Sequence, residues 1–250
     1  MLKNNRASKR QLRRVRLIVI LVIIMIVCLL ILFGLKSPMF NVAEVEVDGN
    51  HYYSDAEIIA MANCSKDVNI FNGVDCKDIR KRLLKDPYME QVTVKRKLPD
   101  TISIEIKERE QVAGIVYGSS FVVIDIDGIV LRKTSVDPKV TVLKGMNISK
   151  MTLGDTIEVE EEVLLRQCMD IIRAMKEHDM YFKSITIQEG LVKAYVLDNL
   201  VVEGMADNIV SALKNDEIQL VVQELFKQKI ERGTIKVTGD SYVSYTPKID

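Results

Sequence analysis

The stretch 92–106 reads VTVKRKLPDTISIEI, and its alternation decides the fold of the region around it. Two valines alternate with polar residues, Lys97-Leu98-Pro99-Asp100 turns the chain, and Ile102, Ile104 and Ile106 then alternate with polar residues again. A side-chain period of two on both sides of a turn is typical of a β-hairpin with one apolar face. That face needs a cover, which the preceding segments must supply.

Two helices and one strand are predicted upstream of this hairpin. Residues 40–47 read as a strand with alternating valines. Ser54 and Glu57 form a capping box for a helix over 55–63, and Asp75 is the N-cap of a second helix. The order β-α-α-β-β predicts a small domain with a three-stranded sheet and both helices on one face.

A membrane anchor is predicted before this domain. Residues 1–16 carry seven basic residues and no acidic one, and the nineteen residues 17–35 are uncharged and mostly apolar. Such a helix spans about 30 Å, the thickness of the hydrocarbon core of a bilayer. The basic flank is expected to be cytoplasmic, which places everything after Lys36 outside the cytoplasm. A cleaved signal peptide is the alternative, but its apolar region is usually about 7–15 residues long and ends in small residues.

The distribution of charge limits the classes of partner. The whole chain has a formal net charge of zero, so setting aside the seven basic residues of the tail leaves residues 17–250 at −7. The basic character is confined to the tail, where it suits contact with anionic lipid. We therefore expect no nucleic-acid partner, and an outer part that folds as one or two soluble domains.

A second set of strands and helices is predicted after the hairpin. The strands are expected at 121–124, 129–131, 138–145, 184–188, 191–197, 234–238 and 241–245. An amphipathic helix is expected over 158–177, and a long helical stretch over 205–230 with uncertain boundaries at Asn215-Asp216. The whole chain is thus α+β, with a single transmembrane helix, the β-α-α-β-β domain and a mixed β-domain with helices.

An ordered set of short motifs resembles the POTRA domain of the bacterial cell-division protein FtsQ, called DivIB in Gram-positive bacteria. The matching motifs are Ser37-Pro38-x-Phe40-x-Val42, Val45-x-Val47-x-Gly49-Asn50, Asn69-Ile70-Phe71, Val92-x-Val94-x-Arg96-x-Leu98-Pro99-x-Thr101-Ile102-x-Ile104 and Glu108-Arg109-x-x-Val112-Ala113. The later strands and helices resemble the β-domain of the same family. The resemblance implies a basic tail at 1–16, an anchor at 17–35, a POTRA domain at 38–110, a β-domain at 111–245 and a short tail at 246–250.

The resemblance also implies a function. Members of this family are non-enzymatic divisome components that bind the bitopic proteins FtsL and DivIC (or FtsB) and so coordinate septal cell-wall synthesis. It implies a single-pass protein of the cell membrane, enriched at the division septum, with its N-terminus in the cytoplasm. No cofactor, metal or small-molecule substrate is expected. A POTRA-bearing secretion component is a weaker alternative, since it would need a barrel of many strands after the POTRA domain.

One catalytic alternative rests on Ser211 and Lys214. Their S-x-x-K spacing is that of the nucleophile and base of penicillin-recognising enzymes, and it would make the chain a membrane-anchored cell-wall enzyme. Those enzymes also need a K-T-G strand, whereas Lys133-Thr134-Ser135 lacks the glycine. The pattern is therefore weak support for catalysis.

The remaining chemical groups favour structural roles. The two histidines, His51 and His178, lack metal-ligand spacing, and we expect them in a turn and at a helix end. The acidic run Glu158 to Glu162 is expected in the first turn of a helix, where it suits the helix dipole. A Cys64–Cys76 disulfide and free thiols both remain open.

The final strand is the candidate binding site. Ser241 to Tyr245 is short and β-prone, and an edge strand offers unpaired N–H and C=O groups to an incoming strand. By the resemblance, Tyr242, Ser244 and Tyr245 are the candidate partner contacts, with Tyr242 and Ser244 on one face and Tyr245 on the other. The alternative is that this strand merely completes the sheet.

Overall fold

The computed structural model describes residues 4–188, 190–239 and 242–247. Ser241 of the predicted final strand and parts of the two predicted tails lie outside the described residues. The chain divides into two compact units, each described by itself below. Unit 1 comprises 1–84 and 91–107, and unit 2 comprises 85–90 and 108–250.

The helices and strands alternate along the chain. The helices are α1 (Asn4–Leu35), α2 (Asp55–Ala62), α3 (Cys76–Leu83), α4 (Glu162–Glu177), α5 (Ala206–Lys214) and α6 (Glu217–Lys227). The strands are β1 (Glu44–Asp48), β2 (Met89–Lys97), β3 (Thr101–Glu108), β4 (Ala113–Tyr117), β5 (Ser120–Ile124), β6 (Val130–Thr134), β7 (Thr141–Lys144), β8 (Ile148–Lys150), β9 (Glu158–Val159), β10 (Ser184–Gln188), β11 (Leu191–Leu197), β12 (Asn199–Gly204), β13 (Arg232–Thr238) and β14 (Tyr242–Thr246).

Helix α1 contains the predicted anchor. Its segment Val15–Leu35 has a mean hydropathy of 3.6 and none of it is buried inside the protein. A helix that is apolar all round and unburied by protein suits a lipid environment. Among the described residues it is the one helix that is long and apolar enough to cross a membrane.

Unit 1 has the predicted β-α-α-β-β order. Its three strands lie in the order β1-β3-β2, and β1 runs parallel to β3 with Val45 opposite Ile102. The capping box at α2 is present, because Ser54 Oγ accepts from the Glu57 N–H and Glu57 Oε2 accepts from the Ser54 N–H at 2.9 Å. The hydrogen bond from the Ser54 side chain lowers the pKa of the Glu57 carboxyl.

The core of unit 1 follows the predicted apolar face. Ile58 from α2, Leu83 from α3, and Ile102 and Ile104 from β3 are fully buried. Burying such a side chain contributes about 1.5–3 kcal/mol to folding. Gly49 lies against β3 so closely that a Cβ there would sit 2.0 Å from the Ile106 carbonyl oxygen.

The predicted first strand was wrong at its start. Pro38–Phe40 forms a 3₁₀ turn, in which Ser37 Oγ accepts from the Met39 N–H, and the strand begins only at Glu44. Proline fixes φ near the helical value and suits the first position of a helical turn. The Val42 N–H, between this turn and the strand, then donates to the Val68 carbonyl. Val42 is therefore bonded to a loop rather than to the sheet.

Unit 2 is built on a nine-stranded sheet. The strand order is β14-β13-β12-β11-β10-β7-β4-β5-β6. Side chains alternate across it, and one face is buried in a core with α4, α5 and α6, as shown by the fully buried Ile171, Ile185, Leu200 and Ile209. The predicted strands at 184–188 and 191–197 are confirmed and pair antiparallel.

The structure corrects several predictions in unit 2. Strands β4 and β12 and the β8–β9 ribbon were not predicted. Strand β4 begins with Ala113-Gly114, two poor strand formers, and β8 and β9 are very short. The predicted helix over 158–177 begins only at Glu162. Of the acidic run, only Glu162 lies in the first turn; Glu158 is in β9 and pairs with Lys150 at 2.9 Å.

The long helical stretch over 205–230 is two helices. Asp216 adopts a left-handed conformation with φ of 59°, which ends α5 and begins α6. The left-handed region is costly for residues other than glycine, although Asn and Asp tolerate it best. His178, at the end of α4, contacts Asp216 through its ring Nδ1 at 2.9 Å and so helps to hold the junction.

Candidate binding edge of the nine-stranded sheet

Strand β14 is the outermost strand at one end of the sheet in the described part of the chain. It pairs antiparallel with β13, with Tyr242 opposite Thr238 and Tyr245 opposite Ile235. In an antiparallel strand, alternate residues direct their N–H and C=O groups away from the neighbouring strand. The outer side of β14 therefore presents backbone donors and acceptors in the spacing that another strand requires.

The side chains of β14 separate onto two faces as the period of two predicts. Tyr242 is 68% exposed and shares the helix-free face with Ser244. Val243 and Tyr245 are half-buried and pack against the core that the helices cover. Helix α6 contacts β14 on that side.

Tyr245 is anchored within the protein. Its hydroxyl donates to the Arg232 carbonyl at 2.8 Å, at the start of β13. Its ring lies over Gly233, where an added Cβ would come within 2.5 Å of the ring and 2.8 Å of the Thr246 carbonyl oxygen. Gly233 has φ of +136°, a conformation that favours glycine. Tyr245 and Gly233 together hold β14 in register on β13.

At the opposite edge of the sheet, the start of the outer strand is covered. Beyond β6, the Val130 N–H donates to the Asp155 carbonyl and the Gly154 N–H donates to the Val130 carbonyl, both at 2.9 Å. Ile129 and Thr156 form a bridge beside them. Strand β6 also carries Arg132 and Lys133, and charged side chains discourage the pairing of an edge strand with another chain.

The turn before β6 is held by a buried carboxylate. Asp125 Oδ2 accepts from Arg109 Nη1 at 2.7 Å, and its Oδ1 accepts from the N–H groups of Asp127 and Ile129 at 2.9 and 2.8 Å. Asp125 is only 3% exposed. A buried carboxylate is tolerated when its oxygens are paired in this way, so this constellation has a structural explanation.

The residues of the catalytic alternative lie on the surface of α5. The Ser211 hydroxyl donates to the Asp207 carbonyl one turn earlier at 2.9 Å. Ser211 and Lys214 are both exposed. A serine nucleophile needs its hydroxyl directed at a base, and here the proton is directed at the helix backbone.

The other reactive groups form no metal site in the described residues. All four cysteines, which lie within the described ranges, are free thiols, and this includes Cys64 and Cys76. Burial raises the pKa of the Cys64 thiol, and raises that of Cys168 in the core of unit 2 to about 12. The Cys64 and Cys168 thiols are therefore protonated at neutral pH and are weak nucleophiles.

Sequence reasoning predicted the final strand but left open whether it lies at an edge, and it missed the groups that support the strand. The candidate residues Tyr242, Ser244 and Tyr245 all lie on β14, and among them the structure records a hydrogen bond from the side chain of Tyr245. The Tyr242 carbonyl accepts from the Thr238 hydroxyl at 3.4 Å. Gly233 and the Arg232 carbonyl were not predicted. The available signal was Gly233 itself, which lies near the start of a run that alternates with the period of a strand. A glycine inside a strand often marks a place where another group approaches the backbone closely.

The comparisons with known proteins agree with this architecture. Residues 40–109 match the FtsQ-type POTRA domain. The chain is 27% identical to the cell division protein DivIB of Clostridium acetobutylicum over 206 residues, which cover 80% of this chain and 82% of that relative. The DivIB protein of Clostridium botulinum is 27% identical over 215 residues, 84% of this chain and 83% of the relative.

A further relative supplies a partial match. The cell division protein FtsQ of Koribacter versatilis is 34% identical over 88 residues, 35% of this chain and 25% of that relative. The POTRA match, the similarity to DivIB proteins over most of the chain and the N-terminal apolar helix all agree. Residues 40–109 form an FtsQ-type POTRA domain, and the chain is similar over most of its length to the DivIB cell-division proteins.

Proposed function

We propose that this cell-division protein acts by binding rather than by catalysis, and that it links bitopic proteins of the FtsL and DivIC/FtsB types at the septum. In this proposal the POTRA domain comprises residues 38–110 and the β-domain comprises residues 111–245. The outer edge of β14 accepts a strand from the DivIC/FtsB-type partner, and the assembly coordinates septal cell-wall synthesis.

The observation that carries the proposal is the difference in cover between the two outer strands. Strand β14 has the sequence Tyr-Val-Ser-Tyr-Thr, without charge or proline, and one strand neighbour in the described part of the chain. Charge, proline and covering loops are the usual means by which a protein keeps an edge strand from pairing. An uncovered, uncharged edge that is held in register by Tyr245 supports a binding role.

The membrane orientation and the septal location belong to the same proposal. The basic tail lies in the cytoplasm, α1 crosses the membrane once, and both units lie outside the cytoplasm. A fluorescent fusion of the full chain is expected to concentrate at the septum of dividing cells. A uniform membrane signal, together with normal septa after deletion of the gene, would contradict this location and role.

The strand-addition proposal is tested by proline substitutions in β14 of the full chain in detergent. Because alternate residues direct their N–H groups outward, one of Val243→Pro and Ser244→Pro removes an outward donor and the other interrupts the pairing with β13. The variant whose thermal unfolding is closer to that of the native protein is the one that tests the outer edge. We expect it to lose binding to a DivIC/FtsB-type partner in a co-purification assay.

Side-chain contacts are tested separately from the backbone. Tyr242→Ala is expected to weaken partner binding while leaving unfolding unchanged, since Tyr242 is exposed. Tyr181→Ala is the matched control, because Tyr181 is 52% exposed in unit 2 and precedes β10, four strands from β14. Full partner binding by a folded outward-proline variant would disprove strand addition at β14.

A further inference from the structure

Helix α3 of unit 1 carries a cationic face that the proposed function does not use. Its buried stripe consists of Ile79 and Leu83. On the opposite side, three basic residues and one leucine follow one another at spacings of three, one and three. They line a single recess. These four residues, called the α3 basic face below, are Lys77, Arg80, Lys81 and Leu84.

The side chains of the α3 basic face lie at the surface of unit 1. All four residues are exposed, and Leu84 is 38% exposed. Arg80 is fixed because its Nε donates to the Val92 carbonyl on β2 at 2.9 Å. Asp78, the acidic residue within the helix, lies on its flank and pairs with Arg82 at 3.5 Å.

The helix dipole explains only part of this pattern. Cations in the last turn stabilise a helix, which accounts for Arg80, Lys81 and Arg82. Lys77 lies in the first turn, where a positive charge is unfavourable. Its position beside Lys81, one turn later, concentrates like charges on one face, at a cost that an anionic ligand would offset.

The α3 basic face lies close to the end of the membrane helix. The side-chain amide of Asn69 donates to the carbonyl of Leu35, the last residue of α1, at 2.8 Å. The Gly73 N–H donates back to the Asn69 carbonyl at 2.7 Å, which makes the connection a compact turn. Lys77 is four positions after Gly73 in the chain. It therefore lies at most roughly 25 Å from the end of the anchor.

The distance of roughly 25 Å is an upper limit, and the lipid headgroups lie inside it. The headgroup region extends about 5–8 Å beyond the hydrocarbon core on each side of a bilayer. Charges act over a further 8–10 Å or so at physiological ionic strength. A lysine or arginine near an anionic membrane surface is attracted to it, and an exposed leucine among such residues suits the interface.

We propose that the α3 basic face binds anionic phospholipid headgroups of the membrane in which α1 is anchored. The contact would fasten unit 1 to the bilayer at a second point besides α1. This inference is independent of the proposed strand addition at β14, which lies in unit 2.

The test uses the full chain, which contains no tryptophan. Leu84→Trp introduces a single fluorophore into the α3 basic face. The protein is placed in nanodiscs of phosphatidylglycerol or of phosphatidylcholine, each with brominated acyl chains that quench a nearby indole. Leu153→Trp is the matched control, because Leu153 is 59% exposed in a turn of unit 2.

We expect quenching of Trp fluorescence in the phosphatidylglycerol discs for Leu84→Trp and not for Leu153→Trp. Salt at 1 M should remove it, since the screening length then falls to about 3 Å. In the Leu84→Trp background, Lys77→Gln with Lys81→Gln should lower the equilibrium constant for contact between the α3 basic face and the bilayer roughly fivefold per lysine. Lys139→Gln with Lys144→Gln removes the same charge from unit 2 and should have no effect.

A second measurement covers the event that Leu84→Trp does not fold. In the unaltered chain, acetylation of Lys77 and Lys81 is followed by mass spectrometry and should be slower in phosphatidylglycerol than in phosphatidylcholine discs. Equal acetylation in both lipids, or quenching that survives the double lysine substitution, would overturn the proposal. Equal protection of the two lysines by soluble polyphosphate in phosphatidylcholine discs would assign the face to soluble polyanions and would also overturn it.

Discussion

The two outer strands of the nine-stranded sheet differ in what lies beside them. The start of β6, at Val130, is covered by the segment 154–157, and the strand carries two basic residues. Strand β14 is uncharged and has one strand neighbour in the described residues. Both edges are anchored, one by Asp125 and the other by Tyr245 over Gly233. The difference indicates that β14 is kept ordered and uncovered at the same time, which is what strand addition requires.

The largest expected effect is on the covered edge. Asp125→Ala leaves Arg109 without its partner and removes the acceptor for two backbone N–H groups. Breaking a buried ion pair in this way costs about 3–5 kcal/mol of unfolding free energy. Chemical denaturation measures the loss, and hydrogen exchange at Val130 and Gly154 should accelerate.

The exposed Asp127 in the same turn is the control for that prediction. Asp127→Ala should change the free energy of unfolding by no more than about 0.5 kcal/mol. If both substitutions destabilise the protein equally, the buried pair is not what organises the covered edge.

The next effect is on the uncovered edge. Gly233→Ala places a Cβ within 2.5 Å of the Tyr245 ring in a conformation that favours glycine. We expect a loss of roughly 3 kcal/mol from strain and overpacking, and weaker partner binding because β14 shifts. Gly118→Ala is the control, since Gly118 also has positive φ but has open space around it. A Gly233→Ala protein as stable as Gly118→Ala would show that β14 does not depend on this contact.

A smaller effect separates anchoring from recognition within β14. Tyr245→Phe removes the hydrogen bond to the Arg232 carbonyl and should cost about 1 kcal/mol of stability. Tyr242→Phe should leave stability unchanged within about 0.5 kcal/mol, because the ring is exposed. Thermal unfolding of the two variants decides between these roles. Equal losses would mean that Tyr242 is also structural.

The smallest effect concerns the ribbon that leads into the cover of β6. The hydrogen bond and charge of Glu158 raise the pKa of Lys150 above its ordinary value. A raised lysine pKa stabilises the fold fully below the unfolded-state pKa, and that contribution is lost as pH rises through the folded-state pKa. NMR titration of the Lys150 side chain should show the raised pKa, and Glu158→Gln should return it toward the ordinary value. An unchanged pKa in that variant would exclude the pair as its cause.

Local sequence signals predicted those elements whose cause is local. The hairpin over 92–106, the capping box at Ser54 and the N-cap at Asp75 depend on periodicity or on contacts within three residues. Strand β4 was missed because it begins with two poor strand formers, and its pairing with β7 joins segments about 28 residues apart, as in Ala113 with Thr141. The break at Asp216 depends partly on His178, 38 residues earlier in the chain. Such contacts have no signature in a window of a few residues.

The sequence by itself determined the apolar anchor, the β-α-α-β-β unit, the final strand with its alternating faces and the resemblance to the FtsQ/DivIB family. These follow from hydrophobic length, from side-chain periodicity and from short motifs in a set order. Only the tertiary structure decided that β14 is an outer strand, that the start of β6 is covered, and that the Tyr245 ring packs over Gly233. Which strands lie at the edges of a sheet depends on pairings between distant segments, and the chemistry of any one segment does not specify them.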